Sequence, residues 1–318
     1  MKSQSVTAPS LTKKRYTFFT DVRRNRFSYL LILPALLYVL VFSYLSYPYM
    51  IIAFKNFNYK LGVFGSEWCG FKNFEFFLKS TNAPTVIRNT LVLNLLFIVT
   101  GTLTSLVLAI LLNELRSRVF VRTAQTMMLF PHYISWVVVS YILLAIFSNK
   151  NGLANQLLNA LGMKSVSWYT KADVWPTILV WMKIWKSAGM NAVIYLAAIT
   201  GIDESIYESA TIDGANRFQR IVSITVPLIM PTVCIMTLLA VGKIMNGDFG
   251  MIYALVGDQG ILYETTDVID TYVYRVLRQT GDPSQSMAIG LFQSLIGLVM
   301  VVGSNWIVKH TFHEGALF

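Results

Sequence analysis

Tyr207-Glu208-Ser209-Ala210-Thr211-Ile212-Asp213-Gly214-Ala215, running on to Ile224-Thr225-Val226-Pro227, is the stretch on which the reading of this chain turns. It is short, polar and centred on a glycine, and it lies between two long apolar segments. Asp203 and Glu204 precede it, where negative charge suits the positive end of a helix dipole. Asp213-Gly214 then ends that helix, since glycine enters the left-handed conformation without steric cost and aspartate caps a following helix. Helical spacing resumes from Ala215 to Ile224 through Phe218, Ile221 and Val222. Pro227 fits the first turn of the next apolar helix, where its missing N–H costs nothing. The spacing predicts a helix–turn–helix elbow with small residues at its tip, suited to docking into a groove. On these residues alone, a plain linker between two spans is an equal reading.

The rest of the chain is built for lipid. Of 318 residues, 55% are hydrophobic and 13% are charged, about half the charged fraction of a soluble domain. The formal charge of +10 does not point to nucleic acid, because the bases gather in the N-terminal tail and around loops instead of forming a stripe. Cys69 and Cys234 stand far apart and imply neither a disulfide framework nor a zinc site. With three histidines, His132, His310 and His313, no metal site is expected. The first apolar run, Leu30 to Ile52, is too long for a signal-peptide core and has no small-residue cleavage site after it, so it is expected to remain as an anchor.

The expected fold is an all-α polytopic membrane protein. Six segments suffice to cross about 30 Å of hydrocarbon, near 30–53, 87–112, 124–147, 175–200, 226–246 and 287–308. Helices are the expected form, because backbone groups in lipid must be satisfied internally. A basic tail over 1–28 precedes the 29–310 membrane domain, and a short tail, 311–318, follows. The tail bases Lys2, Lys13, Lys14, Arg15, Arg23, Arg24 and Arg26, with Arg116, Arg118, Arg122, Arg217 and Arg220 in loops, place both termini and the elbow in the cytoplasm. In the outer loops, leucines at 153, 157, 158 and 161 have amphipathic helical spacing, and Thr266 to Gln279 is similar. Trp168, Tyr169 and Trp175 are expected to form an interfacial belt.

Two lysines fall inside the fourth span. At 1.5 Å per residue, Lys183 lies about 12 Å and Lys186 about 17 Å from Trp175. A lysine at mid-membrane costs roughly 2.5–3.5 kcal/mol. Lys183 is read as snorkelling outward. Lys186 is read as facing an aqueous cavity or an acid on a neighbouring helix, either as a structural ion pair or as a solute contact. Trp185 and Asn191 join them as candidate pathway residues. Lys243 is read as snorkelling from the outer end of the fifth span. His132 fits a packing role better than a proton relay. The chain has no phosphate-binding loop: Gly242-Lys243 is followed by Ile244 and lacks the preceding glycine spacing. No nucleophile–base set is present either, so no catalytic residue is expected.

Glu208-Ser209-Ala210, three residues, Gly214, nine residues and Ile224-Thr225-Val226-Pro227 resemble the signature of binding-protein-dependent ABC permeases, type I importer transmembrane subunits. Their pattern is Glu-Ala-Ala, three residues, Gly, nine residues, Ile-x-Leu-Pro. Ser209 replaces an alanine and Val226 a leucine; both changes are small. Trp185-Lys186, Tyr195 to Ile199, Ile202-Asp203 and Phe71-Lys72-Asn73-Phe74 resemble the carbohydrate- and oligosaccharide-uptake branch. The resemblance implies that the elbow, over 201–226, is a cytoplasmic coupling loop in the cleft of a separate ATPase. Glu208, Ser209, Ala210, Asp213, Gly214 and Ala215 would shape it, and Ile224 and Pro227 would join it to the fifth span. It implies a second homologous permease, usually a different chain, two ATPase subunits that bind ATP and Mg, and an extracellular solute-binding protein. It also implies the bacterial cytoplasmic membrane as the location. A non-carbohydrate solute such as a peptide, or an ion-coupled secondary transporter, is the competing function.

Overall fold

The computed structural model describes residues 18–149 and 151–311. The basic tail expected over 1–28 lies outside the described residues as far as residue 17, and the 311–318 tail lies outside them from residue 312. The chain divides into two units, one ending at Ile51 and one starting at Ile52.

In the first unit, α1 (Arg26–Phe42) is exposed along its whole length although nearly every residue is apolar. A helix that is hydrophobic all round needs lipid or a protein interior around it. A tighter helical stretch, Tyr44–Phe54, carries the run on, giving an apolar run of 29 residues, Arg26–Phe54.

The second unit starts within that stretch and continues into a two-residue antiparallel ladder pairing Lys55 with Trp68 and Asn56 with Glu67. It is braced by α2 (Lys72–Leu78). Asn73 donates to the carbonyls of Ala53 (2.9 Å) and Lys55 (3.0 Å), and the rings of Phe71 and Phe74 lie 5.5 and 5.3 Å from that of Phe54. The Phe-Lys-Asn-Phe motif is thus a structural clasp.

Two long helices form the spine. Helix α3 (Ala83–Glu114) packs along α7 (Trp175–Thr200), with Ala109, Ala192, Tyr195 and Ile199 buried between them and their neighbours. Small residues at such contacts let helix backbones approach closely without any hydrophobic drive from water. Between these helices in sequence come α4 (Arg118–Tyr133), α5 (Trp136–Phe147) and α6 (Leu153–Ala160). After α7 follow α8 (Glu204–Ile212), α9 (Arg217–Val241), α10 (Phe249–Val256), α11 (Ile269–Thr280) and α12 (Pro283–Thr311).

Among the described residues, four helical runs are long and apolar enough to cross a membrane: Arg26–Phe54, α3, α9 and Pro283–His310 of α12. The third stretch, read from sequence as one rod over 124–147, is two helices bent by 95°. Pro131 sits in the last turn of α4, and the Ser135 hydroxyl then caps α5 by accepting from the Val138 amide (3.3 Å), so a stop and a restart are both written in sequence. Helix α7 is 26 residues long, yet Lys183, Lys186 and Asn191 interrupt it, and it holds no stretch as apolar as those four runs. Much of it is wrapped by protein: Leu179, Ala188, Gly189 and Ala192 are buried.

Three further expectations are corrected. Trp175 is not part of an interfacial belt; it is fully buried with Leu93, Val139 and Met251, and its indole donates to the Trp168 carbonyl (3.0 Å). The fifth helix stops at Val241, not 246, with Gly242 as its cap. Pro227 does stand in the first turn of the regular α-helix Val226–Val241, but the span does not begin at 226, because helix runs unbroken from Arg217. A wide π turn, Ile221–Thr225, lies immediately before Val226-Pro227. Such a turn relieves the clash that a proline ring makes with the preceding turn of an ordinary α-helix.

Candidate functional site

Helix α8 begins where the Asp203 carboxylate accepts from the Ser205 amide (3.0 Å). That bond holds the Asp203 carboxyl below the usual carboxylate range. The helix ends in a two-bond cap around Gly214, whose φ is +81°. The Ala215 amide reaches back to the Ala210 carbonyl (2.9 Å) and the Gly214 amide to that of Thr211 (3.1 Å), which is the Schellman arrangement. The sequence makes Asp213 a candidate cap for the following helix. It instead closes α8, and the cap belongs to Asn216, whose side chain accepts from the Gln219 amide (2.9 Å) while Gln219 accepts from the Asn216 amide (2.8 Å). Asparagine three residues ahead of glutamine is the capping-box pattern, a signal present in the sequence.

Two side-chain bonds tie the arms of this turn together. The Tyr207 and Thr225 hydroxyls lie 2.9 Å apart, and Arg220 donates to the Thr211 hydroxyl (3.0 Å). Glu208, Ser209, Asp213 and Gly214 are exposed, and Ala210, Ala215 and Ile224 are half-buried. Ile212 and Phe218 are 86% and 74% exposed, so the tip presents apolar side chains beside polar ones. Such exposed apolar residues at a compact turn suit contact with another protein.

The candidate pathway residues separate. Lys183 and Asn191 line one cavity of about 440 Å³, walled by α3, α7, the end of α9 and the 246–248 segment. Lys183 pairs with Asp248 at 2.8 Å. Trp185 is 42% exposed and does not line that cavity. Among the described residues Lys186 is in no ion pair, and it does not line that cavity. Its ammonium donates to the carbonyls of Pro131 (3.2 Å) and His132 (3.1 Å) and also to that of Ile134. It stands 5.0 Å from the centre of the Trp136 ring. The last carbonyls of a helix have no intrahelical partner, so Lys186 caps α4 where the chain turns into α5. One turn further along α7, Gly189 lies so close to α4 that a β-carbon there would come within 2.1 Å of the Met128 carbonyl oxygen.

Sequence reasoning missed Tyr207, Thr211, Arg220 and Thr225 as the ties of the elbow, and Asp248 and Lys243 as cavity residues. Asp248 had a signal, since Gly247-Asp248 followed by an apolar run is a helix start. The hydroxyl partners had none, because they meet only once the elbow has folded.

Residues 101–312 match the family model described as binding-protein-dependent transport system inner membrane component. The protein LplB of Bacillus subtilis is 36% identical over 309 residues, 97% of this chain and 96% of that protein. The polygalacturonan/rhamnogalacturonan transport system permease protein YteP of the same organism is 32% identical over 99% of each chain. Among solved structures, a chain of a bacterial ABC transporter involved in the import of the acidic polysaccharide alginate superposes with a TM-score of 0.84 at 32% identity, covering 92% of this chain and 99% of that one. A match that spans elbow, cavity and spine alike, at this identity, makes the chain a member of the binding-protein-dependent transport system inner membrane components.

Proposed function

We propose that this chain is the permease subunit of an ATP-driven importer in the bacterial cytoplasmic membrane, forming half of the pathway for a saccharide or glycan-derived solute. The observation that carries this reading is the capped turn at Gly214. It presents an exposed, rigid tip at the root of α9, in a chain whose relatives include permeases named for polygalacturonan/rhamnogalacturonan and for arabinooligosaccharides. Those names favour a saccharide over a peptide.

In this proposal the chain crosses the membrane six times, through Arg26–Phe54, α3, the broken α4–α5 pair, α7, α9 and α12. Both termini are cytoplasmic, as is the elbow over 201–226. Glu208, Ser209, Ala210, Asp213, Gly214 and Ala215 shape the surface that meets an ATPase, and Ile224 and Pro227 lie in the helix that leads away from it. ATP and Mg bind to two partner ATPase subunits, and the chain itself carries out no bond-making step. A second, homologous permease completes the pathway, and an extracellular binding protein delivers the solute. Helix α9 gives the reading its mechanics. It runs without a break from Arg217 to Val241, about 37 Å at 1.5 Å per residue. A displacement of the elbow on ATP binding is therefore carried to the cavity at the far end of one rod.

The test is uptake by the full assembly, with its ATPases and binding protein, in liposomes loaded with ATP. Saccharide should accumulate only with ATP inside, and Gly214→Pro should abolish accumulation. Uptake driven by a proton gradient, with this chain alone, would overturn the proposal.

A further inference from the structure

Lys243 stands just beyond the Gly242 cap of α9, on the wall of the cavity that Lys183, Asn191 and Asp248 also line. The ion pairs among the described residues are Lys79–Glu75, Lys183–Asp248, Arg275–Asp267 and Arg278–Asp258, and Lys243 is in none of them. The carboxylate of this wall is thus already engaged by Lys183 at 2.8 Å. Two ammonium groups against one carboxylate leave the lining residues with one net positive charge; the Asp270 carboxylate behind them accepts from the Gly247 amide and the Gln293 side chain. The C-terminal dipole of α9 favours a cation in this turn; it does not require that the cation line a cavity. Lys243 is exposed, so water screens part of its charge, yet a cation with no carboxylate partner still attracts an anion more strongly than one that is already paired.

The remaining wall suits a sugar. Asn191 and the Lys183–Asp248 pair supply donors and an acceptor for hydroxyl groups, and the Phe97 ring, 5.9 Å from the Lys183 ammonium, supplies an apolar face. The volume, about 440 Å³, falls in the range of roughly 300–1,000 Å³ usual for small-molecule sites. Resting on the import reading above, we propose that this cavity is a solute subsite for a saccharide that carries a carboxylate, and that Lys243 is the residue that pairs with that carboxylate. Lys183 and Asp248 hold the hydroxyls of the same sugar and contribute little to the choice between charged and neutral solutes, because their charges cancel.

Two probes of equal length, trigalacturonate and galactotriose, separate this proposal from the one it rests on. Both are offered to the complete assembly in ATP-loaded liposomes, and both are titrated by calorimetry onto the permease–ATPase assembly without binding protein. Lys243→Gln should weaken trigalacturonate binding and slow its uptake by about tenfold, the loss of one charge-assisted hydrogen bond. Lys243→Arg should keep most of both. Galactotriose binding should change less than twofold in either variant, and it reports that the assembly is intact. Equal loss for both sugars, or equal retention of both, would overturn the assignment of Lys243 while ATP-driven uptake still stood. Absence of ATP-driven saccharide uptake in the unmodified assembly would overturn the import reading itself.

Discussion

At Gly214 a single backbone angle decides whether the elbow closes. A β-carbon there would meet no atom within 4 Å, so the obstacle to substitution is the φ of +81° alone. Alanine in that conformation costs about 1–2 kcal/mol, which loosens the turn without breaking the fold. Proline cannot reach the angle and removes the amide that bonds to Thr211. Gly214→Ala should therefore lower ATP-driven uptake a few-fold and Gly214→Pro should abolish it, with the assembly still purifying intact; identical uptake by the two variants would contradict the argument. Lys186 makes the complementary point. Its need for partners was legible, because a lysine well inside an apolar run is costly. Its partners were not, because they are backbone carbonyls freed by the break at Ile134 and Ser135, and a carbonyl carries no residue-specific mark. Hydrogen bonds to charged groups contribute about 1.5–3 kcal/mol each when desolvated. With Lys186 half-buried and solvent near, Lys186→Met should cost roughly 1–3 kcal/mol in thermal unfolding of the purified protein. Arginine should restore only part of it, since a planar fork does not match a ring of carbonyls.

At the level of elements, sequence showed where helices stop better than which way they leave. The 29-residue apolar run at Arg26–Phe54, the rods α3 and α12, and the amphipathic α6 follow directly from composition and spacing. The 95° turn between α4 and α5 did not, although Pro131 and Ser135 are the residues that encode it. An apolar run hides such a break because hydropathy does not change across it. The elbow divides in the same way. Its glycine stop is plain in sequence, whereas the bond between Tyr207 and Thr225, 18 residues apart, exists only when the two arms have folded back. That bond and the Arg220–Thr211 bond make the elbow one rigid piece. Tyr207→Phe removes one hydrogen bond, worth about 1 kcal/mol, and keeps the ring. The expected result is an assembly that hydrolyses ATP at an unchanged rate and moves less solute per ATP, measured as the ratio of uptake to phosphate release. An unchanged ratio would mean that the arms do not need this tie to move together.

Across the whole second unit, the cavity is where separate parts of the chain meet. Asp248 shows how. One carboxylate oxygen caps α10 by accepting from the Met251 amide (3.0 Å), and the other pairs with Lys183 of α7 (2.8 Å). The segment just before it is pinned from another side, since the Gly247 amide donates to Asp270 of α11, and Gln293 of α12 donates to the same carboxylate. The Lys183–Asp248 pair is therefore the point at which α7 is joined to a loop held by α11 and α12. Asp248→Asn keeps the cap, because asparagine serves there as well as aspartate, and it leaves Lys183 without its counter-ion. Lys183→Met leaves a carboxylate unpaired instead. The two side chains are 30% and 26% exposed, so water screens each stranded charge and each single variant should lose about 1 kcal/mol of stability. The double variant strands neither charge and should lose less than the sum of the singles, by roughly 0.5–1 kcal/mol. Chemical unfolding of the four proteins in lipid nanodiscs measures that difference. Strict additivity would show that α7 and the 246–248 loop are not joined here in the membrane, and the cavity would then lose the wall that places Lys183 opposite its acid.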